Sequence, residues 1–414
     1  MFGRIAVIGG GPAGMISAGF SSDENNKITL IEKNTMLGKK LNITGKGRCN
    51  LSNMRDLSGL LENIPQNPRF LYGAFSKFTV EDTIAFFESL GVKIKKERGE
   101  RLFPESDNAH DVTNALIKFI SQKNVEVKRA KAAEIIVEDG MVKGVRTANG
   151  ETVPCGAVIL ATGGRSYPGT GSTGEGYAIA EKVGHTVVPA RASLVPLLSD
   201  DDSCREMQGL SLKNVSLTVF EDEKPIYRDF GEMLFTHFGL SGPMSLSASA
   251  HMRNIGKSSY KAVIDLKPAL DQKTLDMRIL RDFEKFINRD LINCLGELLP
   301  QKMIPVVIKK SGVDPHIKAN SITKKQREDL IKVIKGLSIE ISGFRPIDEA
   351  IITSGGVSVA EINPKTMGSK IVKGLFFAGE IIDVDGYTGG FNLQIAWSTG
   401  HLAGVSAKEY ILSL

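Results

Sequence analysis

The chain has 414 residues, of which 42% are hydrophobic and 24% are charged. This composition excludes a disordered chain, and the length favours two or three globular domains. No run approaches the ~18 consecutive apolar residues that a membrane span requires. The first strand-like segment begins at Arg4, which leaves no room for a secretory signal. We therefore expect a cytoplasmic protein that makes no contact with a membrane.

Cysteines and charges narrow the class further. Cys49, Cys155, Cys204 and Cys294 are isolated from one another in sequence, which predicts reduced thiols and no metal site. The net charge is +5, and residues 271–335 alone hold 14 Lys and Arg against 9 Asp and Glu. A solvated helical surface explains that excess, and contact with an anionic partner is the alternative.

The N-terminal segment has the pattern of a dinucleotide-binding fold. An apolar strand, RIAVIG, leads into the spacing G-x-G-x-x-G formed by Gly9, Gly11 and Gly14. We expect Gly9 to permit a tight turn, Gly11 to admit a pyrophosphate, and Gly14 to let the following helix pack closely. The helix N-terminus would present N–H groups to the phosphates. A second strand, KITLIEK, contains Glu32, which is placed to accept hydrogen bonds from both hydroxyls of an adenosine ribose.

The middle of the chain adds strands and turns. Asp139-Gly140 and Asn149-Gly150 lie between alternating apolar runs and predict β-hairpins. The strand AVILATGG then ends in small residues, as a backbone passing close to a cofactor requires. A second G-x-G-x-x-G, at positions 169–174, does not continue directly from a strand. It predicts a loop and not a second nucleotide site.

The C-terminal region decides between FAD and NAD, which share the ADP half that the first motif binds. The strand LFFAG delivers Glu380 at its carboxyl end, where ligands of open α/β sheets bind. We expect Glu380 to hold a ribitol chain, which NAD lacks. The turn Gly389-Gly390 then opens a helix near Phe391 and Asn392. Its N-terminus would point N–H groups at a flavin pyrimidine oxygen and favour the reduced ring. The sequence therefore favours FAD.

A resemblance to a known family rests on blocks spread over essentially the whole chain: GKKLNITGKGRCN (38–50), RLFPESDNAHDV (101–112), ATGG with GSTGEGY (161–177), FTHFGLSGP (235–243), and SGGVSVAEINPKTM with FAGEIIDVDGYTGGFNLQIAW (354–397). With these blocks the chain resembles the BaiN/YhiN-like family of bacterial NAD(P)/FAD-dependent oxidoreductases. The resemblance implies an α/β protein with a Rossmann-like FAD-binding fold of the glutathione reductase/succinate dehydrogenase type. A mixed β plus α insert domain interrupts that fold.

The implied organisation assigns residues 1–194 and 341–414 to the FAD-binding domain. Residues 195–340 form the insert, a β unit followed by a basic helical segment, which acts as a lid over the substrate entry. NADH or NADPH would serve as a transient electron donor, because no second nicotinamide-binding domain is apparent. Motifs and resemblance together predict a set of contacts to noncovalent FAD: Gly9, Gly11, Pro12, Ala13, Gly14, Glu32, Lys33, Lys40, Ala132, Thr162, Gly163, Gly379, Glu380, Gly390, Phe391, Asn392 and Leu393.

The resemblance also implies a reaction. Family members are reported to include bile-acid enone reductases, a dihydrouridine synthase of large-subunit ribosomal RNA, and enzymes likened to aminoacetone oxidases. The first two deliver hydride from flavin N5 to a C=C bond conjugated to a carbonyl, with a protein acid supplying the proton. We expect a reductase acting on uridine in large-subunit ribosomal RNA, which docks on residues 271–335. The alternatives are a small-amine oxidase, a small-molecule enone reductase, and a non-enzymatic flavin module that binds RNA or protein.

Three residues are candidates for the proton donor. Cys49 comes first, because the neighbouring Arg48 and Lys46 would lower the pKa of its thiol. A small residue packed near the flavin is the competing explanation of Cys49. His237 is second, although a lone histidine is commonly structural. Tyr387 is third.

Overall fold

The computed structural model describes residues 3–414 and divides them into two compact units. The first unit consists of the described residues up to Ser193 together with Ile347–Leu414, and the second is Leu194–Pro346. No helix within the described residues is long and apolar enough to cross a membrane.

The N-terminal part of the first unit begins with a strand, a helix and a second strand, as predicted. Its helices and strands are β1 (Gly3–Ile8), α1 (Pro12–Ser21), β2 (Asn26–Glu32), β3 (Ser52–Asn53), α2 (Leu57–Glu62), α3 (Tyr72–Lys77), α4 (Val80–Ser89), β4 (Ile94–Glu97), β5 (Arg101–Pro104), α5 (Ala109–Ser121), β6 (Val125–Arg129), β7 (Ala132–Glu138), β8 (Met141–Thr147), β9 (Thr152–Pro154), β10 (Ala157–Leu160), α6 (Glu175–Lys182) and β11 (Val187–Ser193).

The second unit contains β12 (Leu197–Leu198), α7 (Asp202–Glu206), β13 (Ser211–Glu221), β14 (Lys224–Thr236), β15 (Gly239–Ser241), α8 (Pro243–Ser249), β16 (Tyr260–Asp265), α9 (Gln272–Lys285), α10 (Ile304–Ser311), α11 (Lys324–Lys335), β17 (Leu337–Ile341) and β18 (Gly343–Phe344). The chain then re-enters the first unit with β19 (Ile352–Val357), β20 (Leu375–Phe377) and α12 (Phe391–Leu412).

A five-stranded parallel sheet, in the order β20-β10-β1-β2-β6, forms the centre of the first unit. Every residue of β10 is buried, as the short apolar run AVIL predicts for a strand covered on both faces. The C-terminal strand β20 pairs with β10, so the end of the chain completes the sheet that its beginning starts. The predicted Rossmann-like α/β fold is confirmed.

Helices α1 and α12 pack against each other at unusually short range. A Cβ atom on Gly400 would lie 2.7 Å from the Ala13 carbonyl oxygen, and one on Gly404 would lie 2.6 Å from that of Ser17. Ser17 Oγ also donates to the Gly400 carbonyl at 2.9 Å. Because only glycine leaves room for this approach, the spacing G-x-x-x-G in α12 fixes how the two helices cross.

The predicted hairpins are confirmed in the sheet β7-β8-β9. Asp139 and Gly140 form a two-residue turn with φ of 51° and 72°, the conformation for which Asp-Gly is favoured. Asn149 and Gly150 lie in the loop between β8 and β9. Two further small sheets, β3-β5-β4 and β11-β19, complete the first unit.

The second unit has its own sheet and its own hydrophobic core. Seven strands run in the order β17-β16-β13-β14-β15-β12-β18. Apolar side chains from this sheet, such as Leu217 and Ile264, share a core with Leu275 and Ile279 of α9 and with Ile334 of α11. A core of its own is what defines an independent structural domain. The predicted β unit and the predicted charged helices between 275 and 335 are therefore both present.

Candidate cofactor site

A large cavity lies within the first unit at the carboxyl ends of four parallel strands. Ile8, Glu32, Ala161 and Ala378, at or just beyond the ends of β1, β2, β10 and β20, all line it. The cavity encloses about 1320 Å³ of empty space, including its opening to solvent. This edge of a parallel sheet is where ligands of open α/β folds bind.

The glycine motif serves the cavity in three different ways. Gly9 has φ of 107°, which favours glycine. A Cβ on Gly14 would lie 1.8 Å from the Gly9 carbonyl oxygen, so Gly14 lets α1 approach the turn. Gly11 differs, because a Cβ there would meet no protein atom within 4 Å and its φ of −82° suits any residue. The protein itself does not require glycine at position 11, whereas a bound group beside it would.

The N-terminus of α1 is equipped to receive an anion. Pro12 occupies the first turn, no side chain caps the helix, and no acidic residue lies in that turn. The free N–H groups and the helix dipole therefore face the cavity wall without an internal counter-charge. A pyrophosphate placed over Gly11 would satisfy them.

Glu32 is buried at the end of β2 with a carboxylate fixed by its own neighbours. Its Oε2 accepts from the Gly10 N–H at 2.6 Å, and its Oε1 accepts from the Asn34 N–H at 2.7 Å and from Asn34 Nδ2 at 2.8 Å. A carboxylate has about four lone-pair positions. Three of these positions are occupied, so Glu32 can keep its bonds and still accept from one ribose hydroxyl in the cavity that it lines, and not from both hydroxyls as the sequence predicted.

Lys40 and Glu380 form an ion pair in the cavity wall with an Nζ–Oε2 distance of 2.8 Å. Their side chains are only 20% and 14% exposed. Lys40 Nζ also donates to Ser166 Oγ at 2.7 Å, and Glu380 Oε1 accepts from the Thr353 N–H at 3.0 Å. The two residues that the sequence proposed separately are thus one unit, in which each charge is compensated by the other.

Thr162 supplies an unsatisfied polar group in the same wall. Its Oγ1 is buried and has no hydrogen-bond partner among residues 3–414. This oxygen lies against Gly176, where an added Cβ would come within 1.9 Å of it, and it is covered by protein atoms. The open N-terminus of α1 and the open position at Gly11 together fit a dinucleotide cofactor.

Fourteen of the seventeen predicted contacts line the cavity, and Gly14, Gly390 and Phe391 do not. Gly390 is the N-cap of α12 with φ of 102°, and a Cβ there would lie 2.2 Å from the Ser52 carbonyl oxygen. Phe391 is buried in the core. Gly14 and Gly390 therefore allow the backbone to pack closely and Phe391 fills the core, whereas Asn392 and Leu393 supply the lining from α12.

Sequence reasoning missed the opposite wall, formed by residues 170–175. This segment is the loop predicted from the second glycine motif, and it ends at the N-terminus of α6. Lys33 Nζ holds it through Thr173 Oγ1 at 2.7 Å and Glu175 Oε2 at 2.9 Å, and Lys131 pairs with Glu175 at 2.9 Å. The second glycine motif therefore lines the same cavity as the first one. Its position after the strand AVILATGG could have indicated this.

The three candidate proton donors are dispersed. Cys49 is fully buried, and burial raises the pKa of its thiol to about 12, so the expected lowering is wrong. Arg48 does not activate the thiol, because its guanidinium is bound to Glu97 and Asp107. His237 is exposed in the turn between β14 and β15 of the second unit. None of the three candidates lines the cavity.

Tyr387 is half-buried in the segment that joins Glu380 to α12. Its backbone N–H donates to the Asn63 carbonyl at 3.0 Å. The adjacent Gly386 is fixed by Asn392, whose Oδ1 accepts the Gly386 N–H at 2.8 Å. Since Asn392 lines the cavity, Tyr387 is the candidate most directly connected to it.

Two buried aspartates precede Tyr387. Asp385 Oδ2 accepts from Ser193 Oγ at 2.7 Å, and Asp383 accepts from Asn67 Nδ2 at 3.0 Å. Burial raises the pKa of Asp385, and the charge of Asp383 adds to the effect, whereas Ser193, Ser354 and Arg191 oppose it. No sequence pattern indicated these two aspartates, because their burial depends on residues far apart in the chain.

All four cysteines are free and buried, which confirms the prediction of isolated thiols. Within residues 3–414 no cluster of three or more His, Cys, Asp or Glu side chains is arranged to hold a metal ion.

Comparison with known proteins identifies the family. Residues 3–406 match the family described as HI0933-like protein Rossmann domain. The chain belongs to this family. It is 31% identical over 416 residues to the 3-dehydro-bile acid delta(4,6)-reductase of Clostridium scindens, covering 98% of this chain and 99% of that protein. It is 30% identical to the ribosomal RNA dihydrouridine synthases of Escherichia coli, covering 95% of both chains, and Haemophilus influenzae, covering 97% of this chain and 98% of that protein.

Solved structures show the same fold. A 3-ketosteroid-delta4-(5alpha)-dehydrogenase from Rhodococcus jostii has a TM-score of 0.53 at 15% identity, covering 98% of this chain and 97% of that one. A flavocytochrome c3 fumarate reductase has a TM-score of 0.53 at 15% identity, covering 99% and 79%. The resemblance inferred from sequence is confirmed. This protein is therefore an FAD-dependent oxidoreductase, and the alternative of a non-enzymatic flavin module is set aside.

Gly11 and Gly14 provide a matched pair of variants. We expect Gly11→Val to abolish FAD binding while changing the stability of the apoprotein by less than ~0.5 kcal/mol, because its side chain enters only cofactor space. Gly14→Ala should destabilise the fold itself by about 3 kcal/mol through overpacking. Flavin absorbance and urea unfolding of the apoproteins measure both effects. A Gly11→Val protein that retains stoichiometric FAD would contradict the assignment.

Glu32 should contribute to FAD affinity through a charge-assisted hydrogen bond to the ribose. We expect Glu32→Ala to weaken FAD binding by ~1 to 3 kcal/mol. Glu32→Gln is the control, because it keeps the size of the side chain and one acceptor oxygen. Titration of apoprotein with FAD gives the dissociation constants, and equal values for Glu32→Ala and the parent would remove Glu32 from the ribose site.

Asp385 predicts a pH dependence of stability. Its pKa is raised in the folded state, so stability falls as pH rises from the unfolded pKa through the folded pKa. Asp385→Asn keeps an acceptor for Ser193 but cannot ionise. We expect the variant to gain stability relative to the parent on going from pH 5 to pH 8, as measured by urea unfolding. A constant difference between the two proteins across this range would show that Asp385 is not titrating there.

Proposed function

We propose that the enzyme reduces a C=C bond conjugated to a carbonyl, with uridine in large-subunit ribosomal RNA as its leading substrate. The observation that supports this proposal is full-length similarity to relatives with two different names but one chemistry. Dihydrouridine differs from uridine by two hydrogens across the C5=C6 bond, which is conjugated to the C4 carbonyl. The name delta(4,6)-reductase likewise denotes the reduction of C=C bonds, which it identifies by their ring positions.

The cavity residues would position the cofactor for that chemistry. Bound FAD, once reduced, supplies the hydride. The N-terminus of α1 would hold its phosphates, and Glu32 its ribose. The N-terminus of α12 carries no acidic residue in its first turn, so its positive end would favour electron-rich ring atoms nearby. The Lys40–Glu380 pair would hold the ribitol chain of the cofactor, between its phosphates and its flavin ring.

Reduction of the conjugated bond also requires a proton at the α carbon. We favour Tyr387 for this role, because in the chain it lies between Glu380 and Asn392, which both line the cavity, and Asn392 bonds to its neighbour Gly386. Cys49 and His237 remain candidates to compare with it. Tyr387→Phe should slow product formation at least tenfold while flavin reduction by a pyridine nucleotide proceeds at the parental rate. Equal product formation by Tyr387→Phe would eliminate this donor.

We also propose NADH or NADPH as the electron donor, visiting the flavin transiently. Ribosomal RNA as substrate would further place the reaction in the cytoplasm. The bile-acid reductase relative supports a second candidate, a small-molecule enone substrate. Both candidates share the hydride and proton steps, so they differ in what the protein recognises beyond the double bond.

Residues 271–335 remain a proposed RNA contact, although their charge is less available than the count indicates. Nine of the fourteen basic side chains in this segment already form ion pairs with acids. Lys309 pairs with Glu206, and Lys310 pairs with Asp201. The exposed cations of this segment that lack an ion pair among residues 3–414 include Lys273, Arg281 and Lys332.

Mass spectrometry of ribosomal RNA tests the proposed substrate directly. We expect purified enzyme with a pyridine nucleotide to convert a uridine of large-subunit RNA from cells lacking the protein into dihydrouridine. The Gly11→Val protein is the matched control, because it should fold without FAD. Reduction of a steroid enone without dihydrouridine would establish the second candidate. Hydrogen peroxide formed from aminoacetone, without either product, would establish an amine oxidase.

A further inference from the structure

Three arginines of the first unit lie at or near the turn between β4 and β5 and have no acidic partner among residues 3–414. Arg55, Arg98 and Arg101 are exposed, and none forms an ion pair within the described part of the chain. Arg101 donates from Nε to the Arg98 carbonyl oxygen at 2.9 Å, which leaves its charge unneutralised. We refer to these three residues as the arginine rim.

The sheet β3-β5-β4 brings the rim together. Arg98 lies in the turn that joins β4 to β5, and Arg101 is the first residue of β5. Asn53 of β3 pairs with Arg101, and the Met54 N–H donates to the Glu100 carbonyl at 2.7 Å. Arg55 therefore leaves β3 beside the same turn.

Other cations of this sheet are compensated. Arg48 binds Glu97 and Asp107, Lys95 binds Asp107 at 2.7 Å, and Lys96 binds Glu100 at 3.2 Å. The acidic residues of the β4–β5 hairpin are thus already occupied by nearer cations. The rim retains its full positive charge for an external anion.

The rim lies beside the start of α12, which helps line the cofactor cavity. Asn53 Nδ2 donates both to the Gly99 carbonyl at 3.1 Å, in the rim turn, and to the Gly389 carbonyl at 3.0 Å. Gly389 precedes the N-cap of α12, and Asn392 in the first turn of that helix lines the cavity. One side chain therefore connects the exposed turn to the helix that borders the cofactor.

We propose that the arginine rim binds the phosphate backbone of the RNA substrate next to the target uridine. This inference rests on the proposed function. Arginine suits the role because its planar guanidinium binds phosphate in a bidentate manner and stacks on bases. Three uncompensated charges beside the cofactor cavity match a polyanion whose reacting base must enter there. A small apolar enone has no phosphates to use them.

A triple variant, Arg55→Gln with Arg98→Gln and Arg101→Gln, tests the rim. Two control triples remove the same charge from exposed cations that lack ion pairs among residues 3–414: Lys77, Lys118 and Lys123 of the first unit, and Lys273, Arg281 and Lys332 of the second. Each protein is titrated with a fluorescein-labelled, uridine-rich single-stranded RNA over a range of salt concentrations. FAD absorbance confirms that each variant is folded.

We expect the rim variant to bind RNA about tenfold more weakly at low salt and to lower the slope of log K against log salt by about 2. The first-unit control should match the parent. Replacing the three arginines with lysine should restore the slope, since lysine keeps the charge. Parental affinity and slope in the rim variant would overturn the proposal, as would equal losses in the rim variant and the first-unit control. Loss confined to the second-unit triple would assign docking to residues 271–335 and also overturn it.

The dihydrouridine assay separates this inference from the proposed function. If the parent forms dihydrouridine and the rim variant does so equally well at every salt concentration, the rim is wrong and the function stands. If the parent forms none but its RNA binding depends on the rim, the rim is an RNA-binding surface and the proposed function is wrong. If the parent does not bind RNA, both are wrong.

Discussion

The close crossing of α1 and α12 is the constraint on which the cofactor site depends. Glycines at 400 and 404 let α12 contact the backbone of α1, and Gly14 lets α1 contact the turn before it. Both helices consequently begin at one cavity. Neither has an acidic residue in its first turn, so their positive ends add there without internal compensation. Larger side chains at these glycines would separate the helices and divide the site.

The charged groups of the cavity are arranged so that none is buried alone. Glu32 is held by backbone and amide donors, and Glu380 by Lys40. Removing one partner of such a group leaves an uncompensated charge, which is more damaging than losing the bond itself. The wall can therefore bind a charged cofactor while remaining stable without it. Thr162 Oγ1 is a neutral hydroxyl, which is less costly to leave unpaired.

The positions that the sequence determined most directly are local in the chain. Gly9, Gly11 and Glu32 lie within a single strand-helix-strand unit, so their spacing alone determined their positions. The Lys40–Glu380 pair joins residues 340 positions apart, and no periodicity connects them. The segment 170–175 was recognised as a loop, but its partner Lys33 lies 140 residues before Thr173 in the chain, and no sequence pattern connects the two. Fold class is predictable from patterns, whereas partners depend on how distant segments meet.

Cys49 shows why neighbours in sequence are poor guides to pKa. Arg48 adjoins it in the chain, yet the guanidinium lies over the Phe103 ring at 4.3 Å and binds two acids. The thiol lies in the core instead, where desolvation raises its pKa and outweighs the opposing effect of a hydrogen bond with Thr44. Successive residues of an extended or irregular segment point in different directions, so adjacency in sequence does not bring charges together.

The substrate question is one of recognition and not of reaction chemistry. Relatives with 30% to 31% identity to this chain are named for a bile acid and for ribosomal RNA, so overall similarity does not decide between them. A sterol-like acid offers apolar area and little charge, whereas RNA offers a series of phosphates. If the groups inside the cavity hold the cofactor as proposed, discrimination must come from exposed groups around it. Uncompensated cations beside the cavity would favour the polyanion, and ion-paired ones would favour neither.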